Sequence, residues 1–435
     1  MWQSLVKAFA LPDLRNRMLY VLGMLAVFVL GCWMPVPGID RSKMANLFSG
    51  NLLGLINTFS GGALQRFSIF AMGIMPYINA SIIFQLLHIT VPAIEELSKE
   101  GEYGRRKISQ YTRYLTVALA FVQGFGVTTW LKGMQVIPRS TSPLVMLKIV
   151  LTVTAGTAFL MWLGEQITDK GIGNGVSLII FAGIVTDMPS YIRSTAELLR
   201  TGAIGFLNIL LLLIIFVSTI AAIVCVQLGE RRIPVRYGDR IAGRRVIRGV
   251  RTHLPIRINQ AGVIPIIFAI SVSLFPATVA QFLPNSIPLG GRVIDMAGVK
   301  QFVLDMFTPG QSAVAAILYA LLVIGFTYFY TAVIFNPRDV ADHLKKYGGQ
   351  VQGFSPGLPT AQYLDRVMTR VTFGGALFLC VIALMQYYVP DWTRVTTFKG
   401  LVGGTSLLIM VGVALDTVQQ IDQQLKLRQY EGFTS

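Results

Sequence analysis

"TGAIGFLNILLLLIIFVSTIAAIVCVQLG", Thr201–Gly229, contains no Asp, Glu, Lys or Arg. As a helix rising ~1.5 Å per residue, about 20 such residues cross the ~30 Å hydrocarbon core of a bilayer. Nine further charge-free apolar runs lie outward of it in both directions, at 18–39, 67–94, 114–131, 149–164, 171–186, 258–291, 306–337, 371–390 and 400–415. Only 13% of the chain is charged and 53% is hydrophobic, whereas about a quarter of a soluble domain is charged. In lipid every backbone N–H and C=O needs a partner within the protein, which favours helices. The alternating strands of about 10 residues that build a membrane barrel would look different. The sequence predicts an all-α polytopic membrane protein with ten transmembrane helices.

Two other charge-free runs do not read as spans. Tyr347–Leu364 is rich in Gly, Pro and Gln and reads as a loop. Met44–Gln65 carries Gly50, Gly54, Gly61 and Gly62 together with Asn46, Asn51 and Asn57. That is too polar to face lipid, and it predicts a short re-entrant or interfacial helix. Lys7, Arg15 and Arg17 precede the first apolar run, as in a secretory signal. The run leads into Pro35-Val36-Pro37-Gly38 without a small-residue cleavage site, so it is expected to stay as the first span. Cys32, Cys225 and Cys380 all fall in expected spans and read as small buried apolar side chains, neither disulfides nor metal ligands.

Ten spans place both termini on one side. With the N-terminus in the cytoplasm, 25 of the 37 Lys and Arg residues fall in cytoplasmic segments and 12 outside. The positive-inside rule therefore puts both termini in the cytoplasm. The formal charge of +16 belongs mostly to one membrane face and is no nucleic-acid signature.

Directly after the opening stretch, Arg231–Arg257 holds nine arginines and no lysine. Such a loop could serve topology alone. Lys would orient the chain equally well, however, and the planar donor fork of Arg suits phosphate and carboxylate. The sharper expectation is a docking surface for a large anionic partner.

A pump or proton-coupled carrier places ionisable groups at membrane depth. The expected span centres hold none: Glu165 and Asp416 fall at span ends, and His88 near a cytoplasmic end. Paired carboxylates within spans, a metal-ligand cluster, a phosphate loop and a nucleophile elbow are also missing from the sequence, so an enzyme has nothing to rest on. Isoleucines recur near Gly and Pro instead. Ile78 and Ile82 are spaced i, i+4, as are Ile180 and Ile184, and Ile267 and Ile409 lie in similar settings. By periodicity alone these are ordinary packing or lipid-facing residues.

Longer motifs change that weighting. "RFSIFAMGIMPYINASIIFQLL" (Arg66–Leu87), "EGEYGRRKISQYTRY" (Glu100–Tyr114) and "FLMWLGEQITDKGIGNGVSLIIFAGI" (Phe159–Ile184) are followed by "AGRRVIRGVRTHLPIRINQAGVIPIIFA" (Ala242–Ala269). "YTAVIFNPRDVADHLKKYGG" (Tyr330–Gly349), "VMTRVTFGGALFL" (Val367–Leu379) and "GGTSLLIMVGVALDT" (Gly403–Thr417) complete the series. In content and order they closely resemble the SecY family, the large subunits of bacterial protein-conducting channels.

The resemblance implies two pseudo-symmetric halves of five spans around an hourglass pore, residues 1–186 and 203–435, joined by a hinge loop at 187–202. It implies a lateral gate between the second and seventh spans. Ile78, Ile82, Ile180, Ile184, Ile267 and Ile409 take the family's pore-ring positions. A plug helix at about 52–68 would include Leu55, Ile56, Asn57, Phe59, Ser60, Gly61 and Gly62. Cytoplasmic loops 229–259 and 336–370 would dock the SecA ATPase or the translating ribosome, through Arg240, Arg244, Arg245, Arg248, Arg251, Arg257, Lys345 and Lys346. SecE and SecG are the implied subunits, and secretory chains and membrane lipids the other partners. The implied location is the bacterial cytoplasmic membrane. The channel would hydrolyse nothing and hold no cofactor. One departure stands out: the family's P-G-I-R-P-G-like segment reads Gln352-Gly353-Phe354-Ser355-Pro356-Gly357 here, with Ser355 in place of the Arg. Against this stand a small-solute carrier with pseudo-symmetric halves, which the uncharged span centres and oversized basic loop disfavour, and a poreless scaffold, which leaves the plug-like run unexplained.

Overall fold

Proline and short polar caps set where the helices begin. Pro12–Trp33 (α1), Met75–Thr90 (α2), Pro92–Lys99 (α3) and Pro143–Lys170 (α5) each carry Pro in the first two positions, where the missing N–H has no helical partner to lose. Ser142 caps α5 by accepting from the Leu144 N–H at 3.4 Å. Asn174 caps Gly175–Arg200 (α6), accepting from Ser177 at 3.1 Å. The other helices are Glu102–Gly133 (α4), Phe206–Leu228 (α7), Ile264–Phe282 (α8), Ala297–Phe307 (α9), Ala313–Ile334 (α10), Pro337–Lys346 (α11), Leu358–Thr393 (α12) and Gly404–Glu431 (α13). The computed structural model describes residues 9–39, 44, 57, 60–138, 140–237, 240–242, 245–247, 251–282, 286–289, 292–295, 297–310, 312–395 and 404–431.

Each of the ten expected runs maps onto a helix. Among the described residues eight helices are long and apolar enough to cross a membrane, or nine if α2 and α3, bent by 96° at Val91-Pro92, form one span. The expected seventh span, α8, contains only a shorter apolar helix, Ile264–Ser273.

Several expected boundaries are corrected. Residues 67–74 are turns rather than the start of the second span, because Pro76 favours the first turn of α2. The run at 258–291 contributes α8 and then one arm of a hairpin, Ser286–Leu289 (β5) against Arg292–Asp295 (β6). The expected loop 347–364 is helical from Leu358, and the expected hinge loop 187–202 is helical to Arg200. The non-helical connection there is Thr201–Gly205.

That last correction alters the ionic inventory. Asp187 lies inside α6 and is buried. Asp187-Met188-Pro189 looks like a helix stop, but α6 continues through Pro189, and the Ser190 hydroxyl donates to the Asp187 carbonyl at 2.7 Å.

The loops at 229–259 and 336–370 hold the principal sheet, in the order β4-β1-β7. Glu230–Tyr237 (β1) pairs antiparallel with Arg251–Arg257 (β4) and with Gly349–Val351 (β7). Between β1 and β4, Arg240–Ala242 (β2) pairs with Arg245–Ile247 (β3). Alternation puts Ile233 and Val235 of β1 inward, with Ile256, Val351, Leu364 and Met368, while Arg232 and Arg236 face out.

α1, α2, α4, α5 and α6 pack on one another, and so do α7, α8, α10, α12 and α13. The two groups meet where α13 touches α6 and where α8 touches α2 and α4. The largest apolar cluster draws on both groups and contains Cys32, buried, and Cys380, half-buried, whereas Cys225 is exposed on α7 rather than buried as expected.

Candidate functional site: an isoleucine ring, its cover and a basic platform

The ring isoleucines arrive from four helices: Ile78 and Ile82 on α2, Ile180 and Ile184 on α6, Ile267 on α8, Ile409 on α13. Spacing of i, i+4 keeps each pair on one face. All six join one apolar cluster; five are buried, with exposures of 0 to 7%, and Ile267 packs half-buried against them. Ile78, Ile180 and Ile267, with Ile74, Met75 and Ile270, line a cavity of about 10 Å³. That is no larger than one water, and its lining is wholly apolar. Were such side chains to line a pore, the constriction would stay dry and resist ions without any fixed charge.

The segment before α2 covers this cluster. Of the expected plug residues, Leu55, Ile56 and Phe59 lie outside the described residues; Asn57, Ser60, Gly61 and Gly62 are placed. Asn57 organises the turn. Its Oδ1 accepts from the Gln65 N–H at 2.8 Å, and its carbonyl accepts from Gly62 N–H at 3.0 Å and the Ser60 hydroxyl at 2.9 Å. Gly61 and Gly62 adopt φ of +66° and +73°, which favours glycine. A Cβ on Gly61 would stand 3.0 Å from the Gly183 Cα, so this backbone lies directly against α6, one residue from Ile184. Ala63 is fully buried in the same cluster as the isoleucines. The base of the segment is pinned to the end of α1: Val36 N–H donates to the Phe67 carbonyl at 2.9 Å, and Ile69 N–H to the Met34 carbonyl at 3.0 Å. Irregular backbone at this depth is tolerated because protein surrounds it.

On the opposite side of the ring lies a polar hollow of about 240 Å³, lined by Asn174, Ser177, Arg257, Asp416, Gln420 and Gln423 among others. Arg257 donates to Gln419 Oε1 at 3.0 Å. It therefore belongs to this hollow, at the inner edge of the expected docking surface.

The remaining basic residues divide. Arg251, Lys345 and Lys346 are exposed. Arg240 and Arg245 sit in the β2–β3 hairpin, opposite Ile247 and Ala242. Arg244 and Arg248 lie outside the described residues. The sheet adds a feature that spacing alone did not show: Arg236 pairs directly with Arg251 across β1–β4, both exposed. Like charges directly opposite are destabilising, so an anion bound between them would relieve the pair. Arg231 and Arg232 extend the same basic strand, with Arg232 Nε on Glu230 at 2.6 Å.

The SecY family model matches residues 68–418. The protein translocase subunit SecY of Halalkalibacterium halodurans is 45% identical over 441 residues, covering 100% of both chains. That of Escherichia coli strain K12 is 46% identical over 427 residues, covering 97% of this chain and 94% of its own. This chain belongs to the SecY family. Among solved structures, one described as a protein conducting channel superposes with a TM-score of 0.66 at 18% identity, covering 94% of this chain and 91% of its own. Sec61 in the canine ribosome-channel complex from the endoplasmic reticulum superposes with a TM-score of 0.64, again at 18% identity, over 94% and 91%. These likenesses establish the SecY-type fold: a mostly helical, multi-pass membrane protein.

Proposed function

We infer that this chain is the pore subunit of a protein translocase, a channel rather than an enzyme, which passes unfolded secretory chains across a membrane and releases apolar helices sideways into lipid. Full-length similarity to curated translocase subunits carries this reading. Six isoleucines from four helices in one dry cluster, under a re-entrant segment, supply its physics. Branched apolar side chains yield around a passing chain and close behind it, while the Gly- and Asn-rich segment at 52–68 serves as a second seal.

The finer assignments rest on the same reading. Residues 1–186 and 203–435 act as two halves, with the hinge at the α6–α7 connection and the gate where α8 meets α2 and α4. The chain sits in the bacterial cytoplasmic membrane with both termini in the cytoplasm, supported by the basic bias of those segments. SecE and SecG are its companion subunits. Loops 229–259 and 336–370 receive SecA or the ribosome, as the exposed Arg236–Arg251 pair across β1 and β4 favours. Asp187 does not revive a carrier reading, because its carboxylate faces Arg66. The test is photocrosslinking from the six isoleucine positions to a secretory precursor stalled in proteoliposomes. Adducts at all six support the pore. Uptake of a small solute by the reconstituted chain, with no precursor adduct, would replace it.

A further inference from the structure

Ile180, Ile184 and Asp187 fall at i, i+4 and i+7 on α6 and so share one face. At ~1.5 Å per residue, Asp187 stands about 4.5 Å beyond Ile184, on the side away from the Asn174 cap. Its side chain is 6% exposed, and its Oδ1 lies 3.9 Å from Arg66 Nη2. Arg66 belongs to the covering segment. Its guanidinium lies 4.0 Å from the centroid of the Trp33 ring at the end of α1. Gly62 makes the meeting possible, since a Cβ there would stand 2.7 Å from Asp187 Oδ1 and 3.2 Å from Arg66 Nη2.

The pair is incompletely satisfied. Asp187 Oδ2 and Arg66 Nη1 are both buried without a hydrogen-bond partner among the described residues. A separation of 3.9 Å is too long for the strong bidentate bond these groups form elsewhere. The covering segment is thus tied to α6 by charge attraction while two polar atoms stay dry. Were the segment to leave, both ions would regain solvent, offsetting part of the lost attraction. A tie of this kind holds at rest and releases under load.

We propose that Arg66 and Asp187 form a charge latch that keeps the covering segment over the isoleucine ring, and that its strength sets how effective a signal sequence must be to open the channel. These are positioning and stringency-setting residues, acting through the segment rather than on the passing chain. The proposal rests on reading residues 52–68 as a displaceable seal.

The two partners are unequal. Arg66 is 31% exposed and keeps its Trp33 contact, whereas Asp187 is nearly enclosed. Asp187→Asn leaves a cation that already reaches water. Arg66→Gln leaves an enclosed, unpaired carboxylate, which favours departure of the segment more strongly. Removing both charges removes that penalty as well. The ordering of opening is therefore parent, Asp187→Asn and the double variant, then Arg66→Gln.

The full chain with its companion subunits is reconstituted for planar-bilayer recording and for export of a precursor with a weakened signal sequence. Arg66→Gln is expected to raise the resting opening frequency and the export of that precursor by about tenfold or more. Asp187→Asn should raise them less, and Arg66→Lys should stay near the parent. The double variant should leak less than Arg66→Gln alone, a non-additivity that two independent structural roles would not give. Deleting residues 55–62 separates the two levels. If the deletion is silent, the seal reading fails. If it leaks while Arg66→Gln and Asp187→Asn do not, or if the single effects simply add, the latch fails and the seal stands. Should Arg66→Gln be lost from the membrane, Asp187→Asn at parent stringency overturns the latch by itself.

Discussion

Val235 lies opposite Val351 across the β1–β7 ladder, and both are buried, at 2% and 1% exposure. This pair joins the arginine-rich loop to the later loop at 336–370, so the two form one platform. Ile233, Ile256, Leu364 and Met368 complete the apolar layer beneath it, and the Gln352 N–H donates to the Pro234 carbonyl at 3.3 Å.

Val351→Asp places a carboxylate in that layer, a burial that costs several kcal/mol if it stays charged and unpaired. The strand should detach and expose both loops. Limited proteolysis of inverted vesicles is expected to cut faster within 229–259 as well as within 349–358. Faster cleavage in the later loop alone would show that the loops are independent. Resting conductance should not change, since the isoleucine cluster shares no residue with this layer.

The ring gives a second expectation. Ile82, Ile184 and Ile409 are buried at 4%, 0% and 1%. Changing all three to Ala removes the apolar bulk while keeping helix propensity. The constriction should widen and wet. Each truncation should also cost stability, by about 2–5 kcal/mol for a large-to-small core change where the site cannot collapse. Planar-bilayer recording should find a steady ion leak in the triple variant. A channel as silent as the parent would assign the seal to other residues.

These relationships were unequally legible in the sequence. The apolar runs marked every spanning helix, because charge exclusion from lipid acts locally along the chain. Their ends were less clear. Pro92 ended α2 as Pro residues do, yet Pro189 sits inside α6, where packing holds a helix that local preference would stop. The hinge loop that the resemblance implies at 187–202 begins too early for the same reason, and the pairing of Asp187 with Arg66 depends on how a re-entrant segment folds back, which spacing does not encode. The β1–β7 pairing is likewise long-range: "ERRIPVRY" alternates visibly, but nothing local names Gly349–Val351 as its partner. The isoleucines were recognisable only through the family resemblance, since isoleucine at helical spacing is common in any span.

Arg236 and Arg251 supply a third expectation, with two effects of opposite sign. Arg236→Glu turns a directly opposed like-charge pair into an attraction, which should steady the β1–β4 ladder by roughly 0.2–1 kcal/mol. The same change removes a cation from the exposed face of the central strand β1 and should weaken binding of SecA or ribosomes to inverted vesicles. Slower hydrogen exchange in β1 together with weaker binding is the expected result. Unchanged binding would mean that this strand does not face the partner.

Ser355 carries the last expectation. It occupies the place of an Arg typical of the family, at the exposed turn between β7 and α12. The turn is held by its backbone: the Ser355 carbonyl accepts from the Thr360 hydroxyl at 2.7 Å, and Phe354 stacks on Tyr363 with ring centroids 4.1 Å apart. Neither contact uses the serine side chain, so Ser355→Arg should fold normally. The added guanidinium would join a surface that already presents exposed Lys345, Lys346, Arg236 and Arg251. One more charge on an exposed, screened surface is worth little, about 1 kcal/mol or less. SecA affinity for vesicles should therefore stay nearly constant or rise slightly, by no more than about fivefold, and the gain should shrink as ionic strength rises from low to moderate. Replacing Arg248 and Arg251 with neutral residues should cost much more. A large gain from Ser355→Arg with no loss from those two would shift the docking contact from the arginine-rich strands to this turn.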